Sequence, residues 1–424
     1  MTASSTYPIE ISNELKKQWE KRGLSVSILP DPGPLKSLID TMYQASLLVE
    51  EGDPVRCRII SATPDELASA TSDEPRGLRV LPFAEPSSYT PYNLRKLSAA
   101  AGFYRSLLAV NFDESGELVI WGIVLTGTDW VNHVDGYQSK GVELPQNVVI
   151  QSLGPGHLIV ASGFSRILET RNGQLLTEGF DPFLSEWLPR RFIRFRESLL
   201  RQLPVEQPNA QATQVCESFV RDVGQSVIRR ILRLVRNRRH GGTLIFMPDG
   251  SHIDGTCERW LRFRVQYQAD RPSSFYSDVM LRLMTRALHV GRTHELEVVT
   301  WSAYQKLHDP ELAQLDEALI EFSHFVADMM SVDGAVVLDH SFRLLGFGGE
   351  ILGETPVHKI DRALDLEAKI STIERADAAG TRHRSAYRLV NGLHDSLAIV
   401  ASQDGDVRFV AHHNDQLCYW PYLP

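Results

Sequence analysis

Apolar residues recur along this chain with two different periods. Spacings of three and four link Leu35, Leu38, Ile39, Met42, Leu47 and Leu48, then Val215, Phe219, Val223, Val227, Ile231 and Leu234, then Leu312, Leu315, Leu319, Phe322, Val326 and Met329. Each set predicts an amphipathic helix, over 35–51, 214–239 and 312–330. Residues 9–23, 93–101, 182–203, 279–286 and 384–391 read as further helices. Val55, Cys57 and Ile59 alternate with Arg56 and Arg58, which predicts a half-buried strand. The β pattern continues through 78–83, 106–111, 118–125, 147–151, 157–162 and 165–170, with turn signals at Asp113–Gly116 and Asn172-Gly173. The polar stretch 62–76 reads as an exposed loop.

The second half of the chain has a different pattern. Its apolar stretches are mostly continuous runs, as in 243–247, 335–338 and 397–402, with further strands at 343–347 and 407–411 and a turn signal at Asp404-Gly405. Strands interleaved with helices predict an α/β fold with a mixed sheet layered with helices, preceded by a separate α+β N-terminal domain. The stretch RQLPVEQPNAQAT, 201–213, carries two prolines and many polar residues and reads as a linker. The expected organisation is therefore 1–200, linker 201–213, and 214–424.

Length and charge narrow the function classes. A chain of 424 residues suits two or three domains of about 150 residues each. A net charge of −9 argues against a general nucleic-acid or membrane-surface binder. The basic helix end Arg229–Arg239 reads as a solvated face; a nucleic-acid-binding regulator that uses it is an alternative. Cys57, Cys216, Cys257 and Cys418 are far apart and form no CxxC pair, which argues against a zinc site or disulfide framework and fits a reducing cytosol. The first residues, MTASSTYPIEISNELKKQW, lack an apolar core of signal-peptide length, and no run approaches the roughly 18 apolar residues of a membrane span. A cytoplasmic protein is expected. There is no Walker-type GxxxxGK[ST] and no GxSxG.

Two short stretches carry the candidate chemistry. Asp333-Gly334-Ala335 sets one carboxylate on a glycine turn that leads into an apolar run. Gly380-Thr381-Arg382-His383-Arg384-Ser385 sets two guanidiniums, an imidazole and two hydroxyls beside a glycine. Either alone has a plain structural reading, as a helix-to-strand turn or as a solvated basic turn. Together, about 45 to 50 residues apart, they supply what a polyphosphate requires. A carboxylate suits a hard divalent cation, arginines contact phosphate bidentately, and Gly380 lets backbone approach an anion. Glu350, beside two glycines, is a candidate second acid or a strand-end surface residue. His412-His413 reads as exposed or paired.

These motifs, in this order, resemble those of the diadenylate cyclase family, whose catalytic domain carries DGA and, downstream, GTRHR. The resemblance extends to His240–Ile245, Leu344–Ile351 and Leu397–Val407, and covers roughly 240–424 with 268–331 loosely aligned. It implies condensation of two ATP into cyclic di-AMP with release of two pyrophosphates. It further implies Asp333, Arg382, His383 and Arg384 as catalytic residues. Gly334, Ala335, Gly380, Thr381, Ser385 and Ser402 would be substrate contacts, and Asp333 with His383 would hold Mg2+ or Mn2+. The product has two equivalent halves and the chain carries each motif once, so a homodimer or higher oligomer with facing sites is expected. Leu118–Gly122 and Leu153–Gly156 resemble a sensor-type domain that precedes some soluble diadenylate cyclases, with no ligand implied. A catalytically silent sensor of ATP or cyclic di-AMP is the alternative.

Overall fold

Residues 55–61 do form a strand, but not a half-buried one. In the computed structural model, β1 (Cys57–Ser61) lies inside an eight-stranded sheet and Arg58 is fully buried, donating from Nη2 to the Ser106 carbonyl at 3.1 Å. The alternation of apolar and basic residues had predicted one solvated face. Arg58 is enclosed instead, with its guanidinium 5.8 Å from the Phe103 ring centroid. The structure describes residues 8–70, 78–103, 105–126, 144–163, 165–171, 174–177, 181–203, 213–238, 240–268, 275–353, 356–403 and 406–422. The Asn172-Gly173 and Asp404-Gly405 turn signals lie outside the described residues.

Two units partition the chain, Met1–Glu178 and Gly179–Pro424. In the first, the other strands are β2 (Arg79–Ser88), β3 (Ser106–Phe112), β4 (Leu118–Leu125), β5 (Val148–Gly154), β6 (His157–Ser162), β7 (Ser165–Arg171) and β8 (Gln174–Thr177). Their order is β8-β7-β6-β5-β1-β3-β4-β2, with β1 and β3 parallel. Helices α1 (Pro8–Lys21) and α2 (Pro32–Ser46) bury Ile11, Leu15, Trp19, Leu38 and Met42 against one face. Part of the expected 62–76 loop is instead α3 (Pro64–Ala70). Thr63 and Glu66 close it reciprocally: the Thr63 amide donates to Glu66 at 2.7 Å and the Glu66 amide to the Thr63 hydroxyl at 3.2 Å. That is a capping box, and Thr-Pro-Asp-Glu is its sequence signature. The helix α4 (Pro91–Ser98) is capped by Thr90, whose hydroxyl accepts from the Asn93 amide.

The second unit begins well before 214. Phe183, and then α5 (Trp187–Arg191) and α6 (Ile193–Gln202), bury Trp187, Leu188, Phe192, Phe195 and Leu199 in its core. The division at Glu178–Gly179 therefore precedes the stretch that composition marks as a linker, because these aromatic side chains need that core. Of that stretch, 204–212 lie outside the described residues.

The long helix α7 (Glu217–Asn237) leads to β9 (Gly242–Met247). Its basic end is not a free stripe. Arg229 pairs with Asp181 at 2.7 Å and lies over the Phe183 ring, and Arg230 is buried. Next come α8 (Thr256–Trp260), the short strands β10 (Leu261–Arg262) and β11 (Val265–Gln266), α9 (Phe275–Thr293) and α10 (Pro310–Met329). Asp309 caps α10, accepting from the Glu311 and Leu312 amides, and Arg286 holds its carboxylate down to about 2. After α10 the strands are β12 (Ala335–Asp339), β13 (Leu344–Ile351), β14 (Lys359–Ala363) and β15 (Ser371–Arg375). Then α11 (Thr381–Gly392), β16 (Leu397–Ala401), β17 (Val407–His413) and β18 (Gln416–Tyr422) complete the chain.

The ten-stranded sheet runs β10-β13-β12-β9-β16-β17-β18-β14-β15, with β11 also on β13. It is mixed: β9 is parallel to β12 and antiparallel to β16. Leu244 and Phe246 face a core built with α6, α7, α9 and α10, whereas Ile245 and Met247 face one built with α11. Burial on both faces is why these strands read as unbroken apolar runs. The fold class is mixed α/β, as expected. Among the described residues no helix is long and apolar enough to cross a membrane.

Candidate functional site

The parallel pair β9 and β12 start side by side, so the residues ahead of each meet at one end of the sheet. Ahead of β12, α10 ends at Met329 and the chain turns through Asp333 and Gly334, the latter at φ +108°. Ahead of β9 stands Gly241, and Gly242 opens the strand. Because β16 runs antiparallel to β9, with Gly242 opposite Ala401, its last residues arrive at the same end. So do Gly348 and Gly349 of β13, since Ala335 pairs with Gly349.

Glycines allow that convergence. A Cβ on Gly334 would stand 2.6 Å from the Gly348 carbonyl carbon. A Cβ on Gly241 would stand 2.6 Å from Arg382 Nη1 and 2.9 Å from the Ala401 carbonyl oxygen. The missing side chain of Gly241 is what seats the Arg382 guanidinium. The HGGT stretch reads in the sequence as a step into a strand; the seat was not legible because α11 comes from 140 positions later in the chain.

Arg382 then reaches Asp333: Nη2 lies 3.5 Å from Oδ1, with the Asp333 side chain about 93% exposed. The two motifs thus meet through one loose ion pair, a kind worth about 0–1 kcal/mol in solvent. The helix α11 starts at Thr381, three residues earlier than expected, with Gly380 as its N-cap and the Arg384 amide making the first bond back to the Gly380 carbonyl at 3.1 Å. The Thr381, Arg382 and His383 amides are therefore in the first turn, where helix N–H groups have no intrahelical acceptor and favour an anion.

His383 lies on the inner side of α11. Burial, then the nearby Arg408 and Arg382 charges, lower its pKa to about 4, so the ring is neutral at pH 7. Its Nε2 is buried with no hydrogen-bond partner. Arg408 is a residue the sequence reading missed. It donates to the Tyr387 hydroxyl at 2.9 Å and lies over the Tyr419 ring at 4.5 Å, while Tyr419 donates to Glu374 at 2.6 Å. Nothing local in 407–411 marks it, because Tyr387 lies on α11.

The other expected residues divide. Gly334 and Ala335 are at the sheet end with Asp333. The Ser402 hydroxyl accepts from the Asp406 amide at 3.1 Å, closing the turn after β16. Arg384 is exposed, and its Nη2 donates to the Thr381 hydroxyl at 3.5 Å. The Ser385 hydroxyl accepts from Arg388 at 3.1 Å, along the helix rather than toward Asp333. Glu350 faces Arg262 at 3.4 Å with both exposed, the surface alternative. His412 stacks on His394 at 3.7 Å between ring centroids. Among the described residues no three His, Cys, Asp or Glu side chains are grouped to hold a metal ion.

Chemically, this end offers an accessible carboxylate, a neutral imidazole, two guanidiniums and backbone amides stripped of side chains. It is an open surface site. The apolar recess of the unit, among α6, α7, α9 and Phe342, shares no lining residue with it; the charge inventory, and not enclosure, marks the sheet end as the candidate.

Comparison with known proteins bears on the first unit. A family model described as "Probable sensor domain DACNV" matches residues 25–125. No curated protein and no solved structure matches the chain. The matched segment runs from just after α1 through β4, and is similar to a sensor domain that is found in diadenylate cyclases.

Proposed function

We propose that Gly179–Pro424 is a diadenylate cyclase unit that condenses two ATP into cyclic di-AMP and two pyrophosphates, regulated by the preceding sensor domain. The observation that carries this reading is the Asp333–Arg382 contact at 3.5 Å, which joins the carboxylate of one motif to the guanidinium of the other across the glycine floor. The sensor-domain match at 25–125 supports it independently.

In this reading Arg382, seated against Gly241, and the exposed Arg384 bind the phosphates, and the first-turn amides of α11 add donors. Gly334 and Ala335 present backbone to the nucleotide. The donors present suit Mg2+ or Mn2+: an exposed carboxylate at Asp333 and an unprotonated, unpartnered imidazole nitrogen at His383. With few protein ligands, the ion would rely on water and substrate phosphates, as magnesium commonly does. When bound, it supplies neutralising charge for the phosphate under attack and for the leaving pyrophosphate. Each 3′-oxygen bonds to the α-phosphorus of the other ATP as pyrophosphate leaves and the 3′-proton is lost. One sheet end has the inventory for one triphosphate, so two copies facing each other would complete the reaction.

The test is direct. The full chain is incubated with ATP and either Mg2+ or Mn2+, and the products are separated by chromatography. Cyclic di-AMP is expected. ATP bound in the presence of either ion but returned unchanged would overturn the catalytic reading in favour of a silent nucleotide sensor.

A further inference from the structure

The ten-stranded sheet ends in a strand whose outer edge is open. Among the described residues β15 pairs with β14 alone. The register of that pairing fixes which backbone groups are left over. The Leu364 amide donates to the Ile370 carbonyl at 2.9 Å, and the Ala376 amide to the His358 carbonyl at 3.0 Å. Residues of an antiparallel strand alternate between exchanging bonds with the neighbour strand and turning away from it. Those two bonds assign 370, 372, 374 and 376 to the inward set. The amides and carbonyls of Ser371, Ile373 and Arg375 therefore point off the sheet edge.

Edge strands are commonly guarded by proline or by free charge. This one has no proline, and Ile370 and Ile373 are 63% and 64% exposed. Its charged side chains are turned back onto their own chain. Arg375 Nη2 donates to Asp377 at 2.6 Å. Glu374 accepts from the Tyr419 hydroxyl at 2.6 Å and lies 3.5 Å from Arg362.

We propose that β15 docks on the β15 edge of a second copy of this chain, antiparallel about a twofold axis at Ile373. The outward residues then oppose one another: Ile373 meets Ile373, and Ser371 meets Arg375 in both directions. About six main-chain hydrogen bonds form, and the exposed Ile373 side chains cover each other. Charge selects this register. Outward groups meet outward groups only if the strands slide by two residues at a time. One such slide sets Arg375 opposite Lys369, and the other sets Glu374 opposite Glu374. Like charges directly opposite are unfavourable in a sheet. With Ile373 on the axis, Glu374 faces Thr372 and no like charges are opposed. The same patch serves both copies, as a closed twofold contact requires. The edge leads through the one-turn helix Ala376–Ala378 into Gly380 and α11, so docking here restrains the segment that enters the candidate site. The pairing itself needs no nucleotide and stands whether or not the chain makes cyclic di-AMP.

The test is the mass of the full chain in solution, by sedimentation equilibrium over about 1–100 µM, the range for a small interface. Nucleotide is left out. A monomer–dimer equilibrium is expected. Ile373→Lys puts two ammonium groups against each other on the axis and should weaken the dimer at least tenfold. The position is exposed, and melting curves verify that the variant is folded. A second pair of variants reads the register. Opposed residues of a hydrogen-bonded pair lie about 5.5 Å apart at Cα, within reach of a disulfide. Ile373→Cys should therefore cross-link two chains on mild oxidation, well above the parent's background. Ile370→Cys, equally exposed but three residues from the axis, should not. A monomer throughout the range, a dimer equally tight in folded Ile373→Lys, or equal cross-linking of the two cysteine variants would overturn the proposal.

Discussion

Two aspartates bracket the same short strand, β12, and their surroundings are opposite. Asp333, before the strand, is about 93% exposed and meets one guanidinium at 3.5 Å. Asp339, at its far end, is 3% exposed and accepts from the Ser341 and Arg343 amides, both at 2.9 Å. Burial raises the Asp339 pKa, with the neighbouring Asp249 adding to the effect and the two amides and Arg343 opposing it. One carboxylate is consumed by the turn it builds. The other is held out over a glycine floor with its coordination capacity unspent. An exposed carboxylate that meets one loose guanidinium, at a place where three of the four converging chain segments are kept bare of side chains by glycine, is the better candidate for chemistry.

The largest expected effect separates the two at once. If the second unit is the proposed cyclase, Asp333→Asn should lower cyclic di-AMP formation by about 10²-fold or more, the scale for losing one electrostatic contact to a developing charge. Its thermal midpoint should stay with the parent's, since an exposed pair is worth about 0–1 kcal/mol. Product assays and melting curves on the same preparations check both halves. Near-parental turnover would remove Asp333 from the reaction. Asp339→Asn should do the reverse, altering melting while leaving nucleotide affinity alone.

Gly334→Ala tests the floor rather than the carboxylate. The new Cβ would meet the Gly348 carbonyl carbon at 2.6 Å on a backbone at φ +108°. Strain and overpacking together predict a loss of about 2–4 kcal/mol, read by denaturant titration. Loss below about 1 kcal/mol would mean that the β12 and β13 turns separate easily, and that the close approach is not what holds Asp333 in place.

Third in size is a pair of arginines of nearly equal exposure. Arg382, against Gly241, and Arg238, paired with Asp328, are 34% and 32% exposed. If Arg382 meets phosphate, Arg382→Ala should weaken ATP-dependent turnover by about 10- to 100-fold, the worth of a charged hydrogen bond. Arg238→Ala should change it less than twofold. Equal effects would place the phosphate contact elsewhere.

These contrasts also show what a sequence can carry. The continuous runs around Ile245, Val336 and Ile399 announced strands, which the structure buries on both faces, and the DGA and GTRHR spellings singled out the residues that the Asp333–Arg382 contact joins. Local chemistry is legible too: Thr63-Pro64-Asp65-Glu66 spells the capping box that starts α3, inside the stretch whose polarity reads as a loop. What was not legible depends on partners distant in the chain. Arg58 looked solvated because nothing in 55–61 says that a second layer covers it. The unit boundary fell early because Trp187 and Phe192 are claimed by a core made mostly of later residues. Gly241 looked like a strand entry until Arg382 was seen against it. Arg408 reads as an ordinary strand arginine until α11 sets His383 nearby.

The smallest effect returns to β12 and concerns pH. A carboxyl whose folded-state pKa is raised holds its proton more tightly in the native than in the unfolded chain. Between the unfolded value, about 3.9, and the raised native value, the native state binds more protons. Stability from this group therefore falls as pH rises through that window and is level above it. Asp339→Asn removes the titration but keeps an oxygen that accepts from the Ser341 and Arg343 amides. The stability of the variant relative to the parent should thus improve as pH rises from about 4, then level off above the native Asp339 value. His340 titrates in the opposite sense: burial lowers its pKa to about 4, so the stability it confers is lost as pH falls from about 6.5 toward 4. It is present in parent and variant alike, and the difference between the two curves removes it to first order. Urea titrations at half-unit pH steps give that difference. A flat difference curve would mean that Asp339 is ionised in the native turn as readily as in the unfolded chain, and the contrast with Asp333 would then rest on geometry alone.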